Sequence, residues 1–274
     1  MLSGARTFGM KALTVCVWVG ILFAAGALSG LGGPGVRGGV ALAAEAEPDI
    51  DAIIRAIDEQ SSILASDFTA TLTIVTQDPE KGAEKFVVRE FRRDRENKFL
   101  LLILEPRAQM GQGYLMDEEN LWFYDPESRK FSHTSLKERF AGSDARNEDF
   151  TQSTLAKDYR VTGYQSGTLG NYQVYIIDLE AVHNEVADPY LKIWVAKEHN
   201  LVLKVESYSL TKRLMRTALF PNYIKEGDVV IPRVMIFVDE LVPGRRTQIT
   251  VTEHSLADLP DTVFTKAFVE RANR

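Results

Sequence analysis

The spacing of serine, histidine and carboxylate side chains shows whether this sequence could carry out catalysis or bind a metal. No G-x-S-x-G segment is present, so the nucleophile of a large hydrolase class is missing. None of the histidines follows the H-x-H or H-E-x-x-H spacing that brings two metal ligands together. These histidines are His133, His183, His199 and His254. The sequence therefore predicts no enzyme, no metal site and no cofactor.

Carboxylates cluster in the segment "GSDARNEDF", which contains Asp144, Glu148 and Asp149. A pair of carboxylates could serve a glycosidase, and an esterase or glycosidase on a β-scaffold is therefore one hypothesis. Acidic loops on acidic proteins are more often solvated surface, and we favour that interpretation.

The segment "VVREFRRDRENK" carries a second group of charged residues, in which both signs alternate. Its charged members are Arg89, Glu90, Arg92, Arg93, Asp94, Arg95 and Glu96. Mixed signs favour cross-strand ion pairs on a solvent-facing surface. A docking patch for an acidic partner is the alternative.

Several predicted strands are apolar on both faces, which a sheet with one buried face does not require. They are "FLLLIL" (99–104) and "LWFY" (121–124), and the segments "IWVA" (193–196) and "VMIFV" (234–238) approach the same character. Any one of these side chains is more often core than ligand-lining. Together they provide more apolar wall than the few predicted helices can cover. This pattern predicts a dry cavity suited to acyl chains, which need no hydrogen bonds.

The predicted cavity-lining residues come from these strands and their neighbours. They are Leu72, Ile74, Leu101, Ile103, Met116, Trp122, Tyr124, Trp194, Met235 and Phe237.

Hydrophobic periodicity predicts one helix followed by many strands. In 48–64, Ile50, Ile53, Ile54, Ile57 and Leu64 recur at helical spacing, after a capping aspartate. From "DFTATLTI" onward the period becomes two, as in strands with one buried face. Short turns between neighbouring strands demand antiparallel pairing. We therefore predict a mainly β (α+β) protein built on a large, curved antiparallel sheet.

The predicted strands cover 68–74, 84–93, 98–105, 113–117, 121–125, 129–134, 159–164, 172–180, 190–196, 201–208, 213–220, 229–240 and 246–254. The polar segment 135–156 lacks alternation. We predict that it is a loop with a short helix, which crosses the open side of the sheet. We predict that this segment and the N-terminal helix form a mobile cover through Ile53, Ile57, Phe140 and Phe150.

The N-terminus has the pattern of a secretory signal peptide. Lys11 precedes the apolar run "ALTVCVWVGILFAA", and "ALAAEAE" offers a cleavage site after Ala43 or Ala46. An uncleaved membrane anchor is the alternative, although the apolar run is short for a span. We predict a signal peptide over 1–43, a single domain over 44–274, and a periplasmic location.

Charge and cysteine content narrow the possible partners. Residues 1–43 carry three cations and no anion, so their removal leaves 29 Lys and Arg against 38 Asp and Glu, a net charge of −9. Such a chain without a basic block is a poor candidate for nucleic acid binding. The single cysteine, Cys16, lies within the leader, so we expect no disulfide in the mature chain.

Five segments resemble, in order, the LolA-like outer-membrane lipoprotein-sorting protein family. They are "GQGYLMDEENLWFYDPESRKF", "AGSDARNEDF", "YLKIWVAKEHNLVLKVESYS", "VVIPRVMIFVDEL" and "TQITVTEHSLADLPDTVF". The resemblance runs from about residue 48 to 270. The chain departs from the family pattern in "GSDARNEDF", where an aromatic or apolar residue commonly follows "GSD".

The resemblance implies a half-barrel of about eleven antiparallel strands, with helices covering its concave face. It also implies a periplasmic carrier that holds the acyl chains of a lipoprotein or lipid. We expect the protein to be a monomer. Its partners would be an inner-membrane transporter and an outer-membrane acceptor. A lipid-sensing regulatory module of the same fold, acting through a stable envelope partner, is the alternative hypothesis.

Overall fold

The computed structural model describes residues 47–226 and 229–272, and this range contains thirteen strands in one antiparallel sheet. The sheet is curved and does not close into a barrel. The predicted signal peptide, 1–43, lies outside the described residues. No helix in the described range is both long enough and apolar enough to span a membrane.

The strands are β1 Phe68–Asp78, β2 Gly82–Arg93, β3 Lys98–Glu105, β4 Gly113–Asp117, β5 Asn120–Asp125, β6 Lys130–His133, β7 Tyr159–Leu169, β8 Tyr172–Ala181, β9 Tyr190–Ala196, β10 Val202–Tyr208, β11 Leu214–Glu226, β12 Val229–Asp239 and β13 Arg246–Ser255. The helices are α1 Ile50–Ser61, α2 Leu155–Asp158 and α3 Lys266–Arg271. Four short 3₁₀ turns lie at Asp94–Glu96, Phe140–Gly142, Asn147–Phe150 and Asp261–Phe264.

The order of the strands explains why one segment must cross the sheet. The order is β6-β5-β4-β3-β2-β1-β13-β12-β11-β10-β9-β8-β7. The first strand, β1, therefore lies at the centre, and each following strand lies further out until β6 forms one edge. The chain then passes to the opposite edge, where β7 lies, and the strands from β8 to β13 return in order to the centre. The connection between the two edges is residues 134–158, which we name the crossover.

Period-two alternation assigns each strand residue to one of two faces. On β1, Phe68, Ala70, Leu72 and Ile74 are buried and face the concave side, which we name the inner face. The inner face packs against α1 and the crossover.

Helix α1 lies on the inner face of the second half of the sheet. The Asp49 carboxylate accepts a hydrogen bond from the Ala52 N–H at 2.8 Å, which caps the helix as the sequence predicts. Ile50, Ile54 and Ile57 are buried against β8 and β9. The predicted apolar stripe is wrong at its end, because α1 stops at Ser61 and Leu64 is 58% exposed.

The C-terminal segment 259–271, which we name the outer seal, covers the opposite face of β3, β4 and β5. Val263, Phe264 and Val269 are buried there against Leu100, Leu102 and other residues of these strands.

The outer seal is also fastened by a buried arginine of the charged segment. The Arg93 side chain, 3% exposed, binds both carboxylate oxygens of Asp67 at 3.0 and 2.9 Å. It also binds Asp261 of the outer seal and the Leu259 carbonyl oxygen, both at 2.5 Å. The interpretation of this segment as a solvent-facing ladder is therefore wrong for Arg93.

The structure confirms the predicted mainly β fold, and every strand predicted from periodicity corresponds to an observed strand. The number of strands is thirteen, rather than the eleven or so that the family resemblance implies. The turns and the period-two alternation therefore predicted the number of strands more accurately than the family resemblance did.

Candidate functional site

A cavity of about 360 Å³ lies between the inner face of the sheet, the end of α1 and the second half of the crossover. This volume falls within the range of roughly 300–1,000 Å³ seen for small-molecule sites. Its apolar lining residues are Ile57, Ile63, Phe68, Phe150, Leu155, Val186, Leu191, Leu201, Val202, Val205, Ala218, Phe220, Val230, Ile231, Pro232, Met235 and Val251. Most of them come from β10 to β13, on the second half of the sheet.

Irregular pairing between β11 and β12 shapes this wall. The register between the two strands shifts on both sides of Asn222, and such bulges bend a strand. Tyr223, next to the shift, lines the cavity, and its hydroxyl donates a hydrogen bond to the Val202 carbonyl oxygen. Burial raises the pKa of the Tyr223 hydroxyl, so it stays a neutral donor.

The crossover is tied to α1 through one aspartate. The Asp58 carboxylate accepts hydrogen bonds from the Leu155 and Ala156 N–H groups at 3.0 and 2.8 Å and from the Ser153 hydroxyl. Asp58 thereby satisfies N–H groups at the start of α2. The side chain of Thr154, the residue just before α2, does not cap them. Helix α1 and the crossover are therefore linked to each other at the cavity's edge.

The first half of the crossover is tied to the sheet by charged groups. Arg139 binds Asp239 of β12 at 2.6 Å. Asp144 accepts hydrogen bonds from Arg245 at 2.8 Å and from the Thr247 hydroxyl at 3.0 Å. Asp144 is thus a structural anchor, which the expectation of a solvated acidic loop did not foresee.

The second half of the crossover uses two further ion pairs. Arg146 binds Asp188 through two hydrogen bonds of 2.6 and 3.1 Å. Arg216 of β11 reaches Asp149 at 2.6 Å, and its guanidinium lies 4.3 Å from the ring centre of Phe237. Burial raises the pKa of the Glu148 carboxyl beside them, and Asp149 adds to that rise while Arg146 opposes it.

A carboxyl and a guanidinium of β2 also line the cavity. Glu90 is 5% exposed, and burial raises its pKa to about 7. Arg92 donates hydrogen bonds to the two Asp94 oxygens at 3.0 and 2.7 Å. Glu90 faces the cavity, so the predicted solvent-facing ladder is wrong at this position as well.

Six of the predicted lining residues lie on the inner face but within the filled part of the core. They are Leu72, Ile74, Leu101, Ile103, Met116 and Phe237. Met235 packs against this core and does line the cavity. The cavity therefore lies to one side of the region that the sequence indicated.

The other three, Trp122, Tyr124 and Trp194, are placed on the outer face, away from the cavity. Trp122 and Tyr124 pack with the outer seal, and the Lys266 ammonium lies 3.2 Å from the Trp122 ring centre. Trp194 alternates with Ile193 and Val195, which pack toward α1, and it lies under Lys204 at 4.4 Å. The physical reason is that successive strand residues point to opposite faces. When both sets are apolar, the sequence does not show which set faces the cavity.

The four residues predicted for the cover all contact the inner face. Ile57 and Phe150 line the cavity. Ile53 packs beside Ile57 against β8 and β9, and Phe140 is fully buried against Tyr114 at a ring-centre distance of 4.7 Å. Mobility of this cover stays a prediction.

Sequence reasoning missed Glu90, Arg216 and most of the β10 to β13 wall. The alternation Phe86, Val88, Glu90 on β2 was an available signal, because it places a carboxyl in register with two buried apolar residues. Among the described residues, no three His, Cys, Asp or Glu side chains are grouped so as to hold a metal ion.

Comparison with known proteins places this geometry in a recognised fold. A family model described as "Uncharacterized protein"-like matches residues 95–271, more than half of the chain. No curated protein matches the sequence.

Solved structures give closer detail on the fold. A LolA superfamily protein from Nitrosomonas europaea has a TM-score of 0.68 and 23% identity, over 79% of this chain and 97% of that one. A putative outer membrane lipoprotein-sorting protein domain from Vibrio parahaemolyticus has a TM-score of 0.70 and 20% identity, over 80% and 98%. A DUF1329 family protein from Desulfovibrio piger has a TM-score of 0.69 and 18% identity, also over 80% and 98%.

These structural similarities establish the fold, and the LolA-like resemblance seen in the sequence is confirmed at that level. The chain therefore belongs to the family that the matching model describes, and it has the fold of the LolA superfamily.

Proposed function

We propose that this protein is a carrier that binds the acyl chains of a lipoprotein or lipid in the cavity and moves them between two membranes. The observation that carries the proposal is the apolar wall from β10 to β13. Helix α1 and the crossover lie over this wall and fill only part of the space above it. The Vibrio relative's description as a lipoprotein-sorting domain points in the same direction. We propose no enzymatic role.

The energetics of burial suit a carrier that must also release its cargo. Burying one CH₂ group is worth about 0.8 kcal/mol, so an acyl chain gains roughly 10 kcal/mol before costs. Some interactions of the empty protein must break on loading and offset part of this gain, because release would otherwise be too slow. We propose that these are the bonds from the crossover to Asp239, Asp188 and Arg216.

The proposed location is the periplasm, reached through removal of residues 1–43, with residues 44–274 acting as one domain. The proposed partners are an inner-membrane transporter that loads the cargo and an outer-membrane acceptor that receives it. The carrier is proposed to act as a monomer.

The test is native mass spectrometry of protein produced from the full-length sequence, with extraction and identification of any bound lipid. A Val205→Phe substitution fills the cavity between α1 and the sheet, so we expect less bound lipid. Val205 contacts both the α1 cluster and the main core, which places it at the cavity's centre.

The matched control is Trp122→Ala, which removes a large aromatic side chain from the outer face. We expect this variant to retain its lipid. Equal lipid content in Val205→Phe and the unchanged protein, with both folded by circular dichroism, would contradict the proposal.

A further inference from the structure

Glu90 occupies a position on β2 where an apolar side chain would be expected. Its cross-strand neighbours are Ala70 on β1 and Leu101 on β3, and both are fully buried. The Glu90 side chain itself is nine-tenths buried or more and lines the cavity. No hydrogen bond or ion pair reaches its carboxyl group from any residue in the described part of the chain.

Every other lining carboxylate has a partner. Glu148 and Asp188 bind Arg146, Asp149 binds Arg216, and Asp158 binds His183 at 3.0 Å. Arg92, which follows Glu90 on the same face, is occupied by Asp94. Glu90 is therefore the lining carboxyl group that the described chain leaves open.

A second lining residue, Arg216, also has a buried polar atom without a partner among the described residues. The Arg216 Nε–H group is buried and has no acceptor among the described residues, although the same guanidinium donates through Nη2 to Asp149. Leaving such a group unsatisfied costs about 1–3 kcal/mol. Because this Arg216 atom is enclosed by protein, Glu90 is the polar group that stays open to a space lined mainly by hydrocarbon.

Building on the carrier function proposed above, we propose that the cavity selects an acyl chain attached to an uncharged polar head that donates a hydrogen bond. A hydroxyl group or an amide N–H of the head would donate a hydrogen bond to Glu90. The cargo class is therefore a neutral amphiphile rather than bare hydrocarbon, a fatty acid anion or an alkylamine.

Charge around the cavity disfavours the ionic alternatives. An anionic head next to Glu90 would be repelled by that carboxyl group whenever it is ionised. A cationic head would have to be desolvated beside Arg92 and Arg216. Burial also raises the pKa of Glu90 to about 7, so this carboxyl group is partly protonated near neutral pH and pairs more easily with a neutral head.

The test compares ligands with the same twelve-carbon chain and different heads. Lauramide and 1-monolaurin carry a neutral donor, methyl laurate has an acceptor but no donor, and laurate and dodecylamine carry charge. Affinity is measured by displacement of the neutral reporter N-phenyl-1-naphthylamine from protein produced from the full-length sequence. We expect lauramide or 1-monolaurin to bind up to about tenfold more tightly than methyl laurate, since one hydrogen bond contributes roughly 1 kcal/mol.

Substitutions at position 90 test whether this preference arises at Glu90. Glu90→Leu is expected to reduce the ratio between lauramide and methyl laurate to about one, while methyl laurate still binds. Glu90→Gln keeps an acceptor oxygen and is expected to keep the preference. Glu84→Leu removes an exposed carboxylate from the same strand and is expected to leave the ratio unchanged.

The outcomes separate this proposal from the carrier function itself. A preference for lauramide alone or for 1-monolaurin alone supports the proposal and identifies the head as amide or hydroxyl. Tightest binding of laurate or dodecylamine, or an unchanged ratio in Glu90→Leu, overturns it while acyl binding stands. Failure of all five ligands to displace the reporter overturns the carrier function and this proposal together.

Discussion

The two covers of the sheet differ in how they fill the space beneath them. The outer seal packs Val263, Phe264 and Val269 directly onto β3 and β4, and the buried Arg93 of β2 binds it through Asp261 and the Leu259 carbonyl oxygen. The crossover places Phe140 and Phe150 in the core, and charged pairs hold much of the rest. The outer seal is fastened by apolar packing and one buried ion-pair network, whereas ion pairs hold much of the crossover at the edge of a cavity. We therefore predict that the crossover, rather than the outer seal, is the segment that opens.

The outer seal should lose most when its buried charge pair is broken. Arg93→Met leaves Asp67, which is fully buried, with only part of its partners. We expect the free energy of unfolding in urea to fall by about 3–5 kcal/mol. Lys85→Met, at an exposed pair with Glu105, is the control and should change it by less than about 1 kcal/mol. Equal effects of the two substitutions would show that the outer seal is not fastened by Arg93.

The buried carboxyl group of Glu90 on the inner face should make the stability of the protein depend on pH. Burial raises the pKa of Glu90 from 4.5 to about 7, with Arg92 opposing the rise and Asp94 adding to it. A raised pKa means that the folded state holds the proton more tightly. This contribution to stability is therefore full below about pH 4.5 and is lost as pH rises through about 7.

The loss should be on the order of 3 kcal/mol, and Glu90→Gln should remove it. Asp149 and Arg216 across the cavity, and Glu148 beside them, are unchanged in that variant. The measurement is urea unfolding of both proteins between pH 4.5 and 8. Curves that stay parallel over this range would contradict the placement of Glu90 in the cavity wall.

The tether between α1 and the crossover should have a smaller, local effect. Asp58→Ala removes the acceptor for Leu155 and Ala156, at a cost of about 1–2 kcal/mol. We expect faster hydrogen exchange in 150–158 and faster exchange of bound lipid. Asp49→Ala is the control, because it uncaps the other end of α1 and should accelerate exchange there alone. Unchanged exchange in 150–158 would rule out the tether.

Sequence periodicity predicted the sheet well because each strand's alternation is a local property. Phe68 to Ile74 could be assigned to a buried face from spacing alone. The site was harder, because Trp122 and Leu121 are both apolar and alternation does not say which of them faces inward. That choice depends on the outer seal, which is more than 130 residues further along the chain.

Charged residues misled the sequence reasoning for a related physical reason. Glu90 and Arg93 belong to one segment of mixed charge, which resembles a solvent-exposed ladder. The structure places Glu90 in the inner cavity and Arg93 beneath the outer seal. The location of the cavity likewise depends on how far α1 and the crossover reach across the sheet, which no single segment encodes.

The most direct test of the account is photo-crosslinking with a twelve-carbon acyl amide that carries a diazirine near the end of its chain. Mapping the labelled peptides by mass spectrometry locates the hydrocarbon without reference to affinity. We predict labels on the wall formed by Val205, Phe220 and Met235, with less labelling in Val205→Phe. Labels confined to the outer face around Trp122, or to exposed Leu210, would contradict the claim that the cavity holds acyl chains.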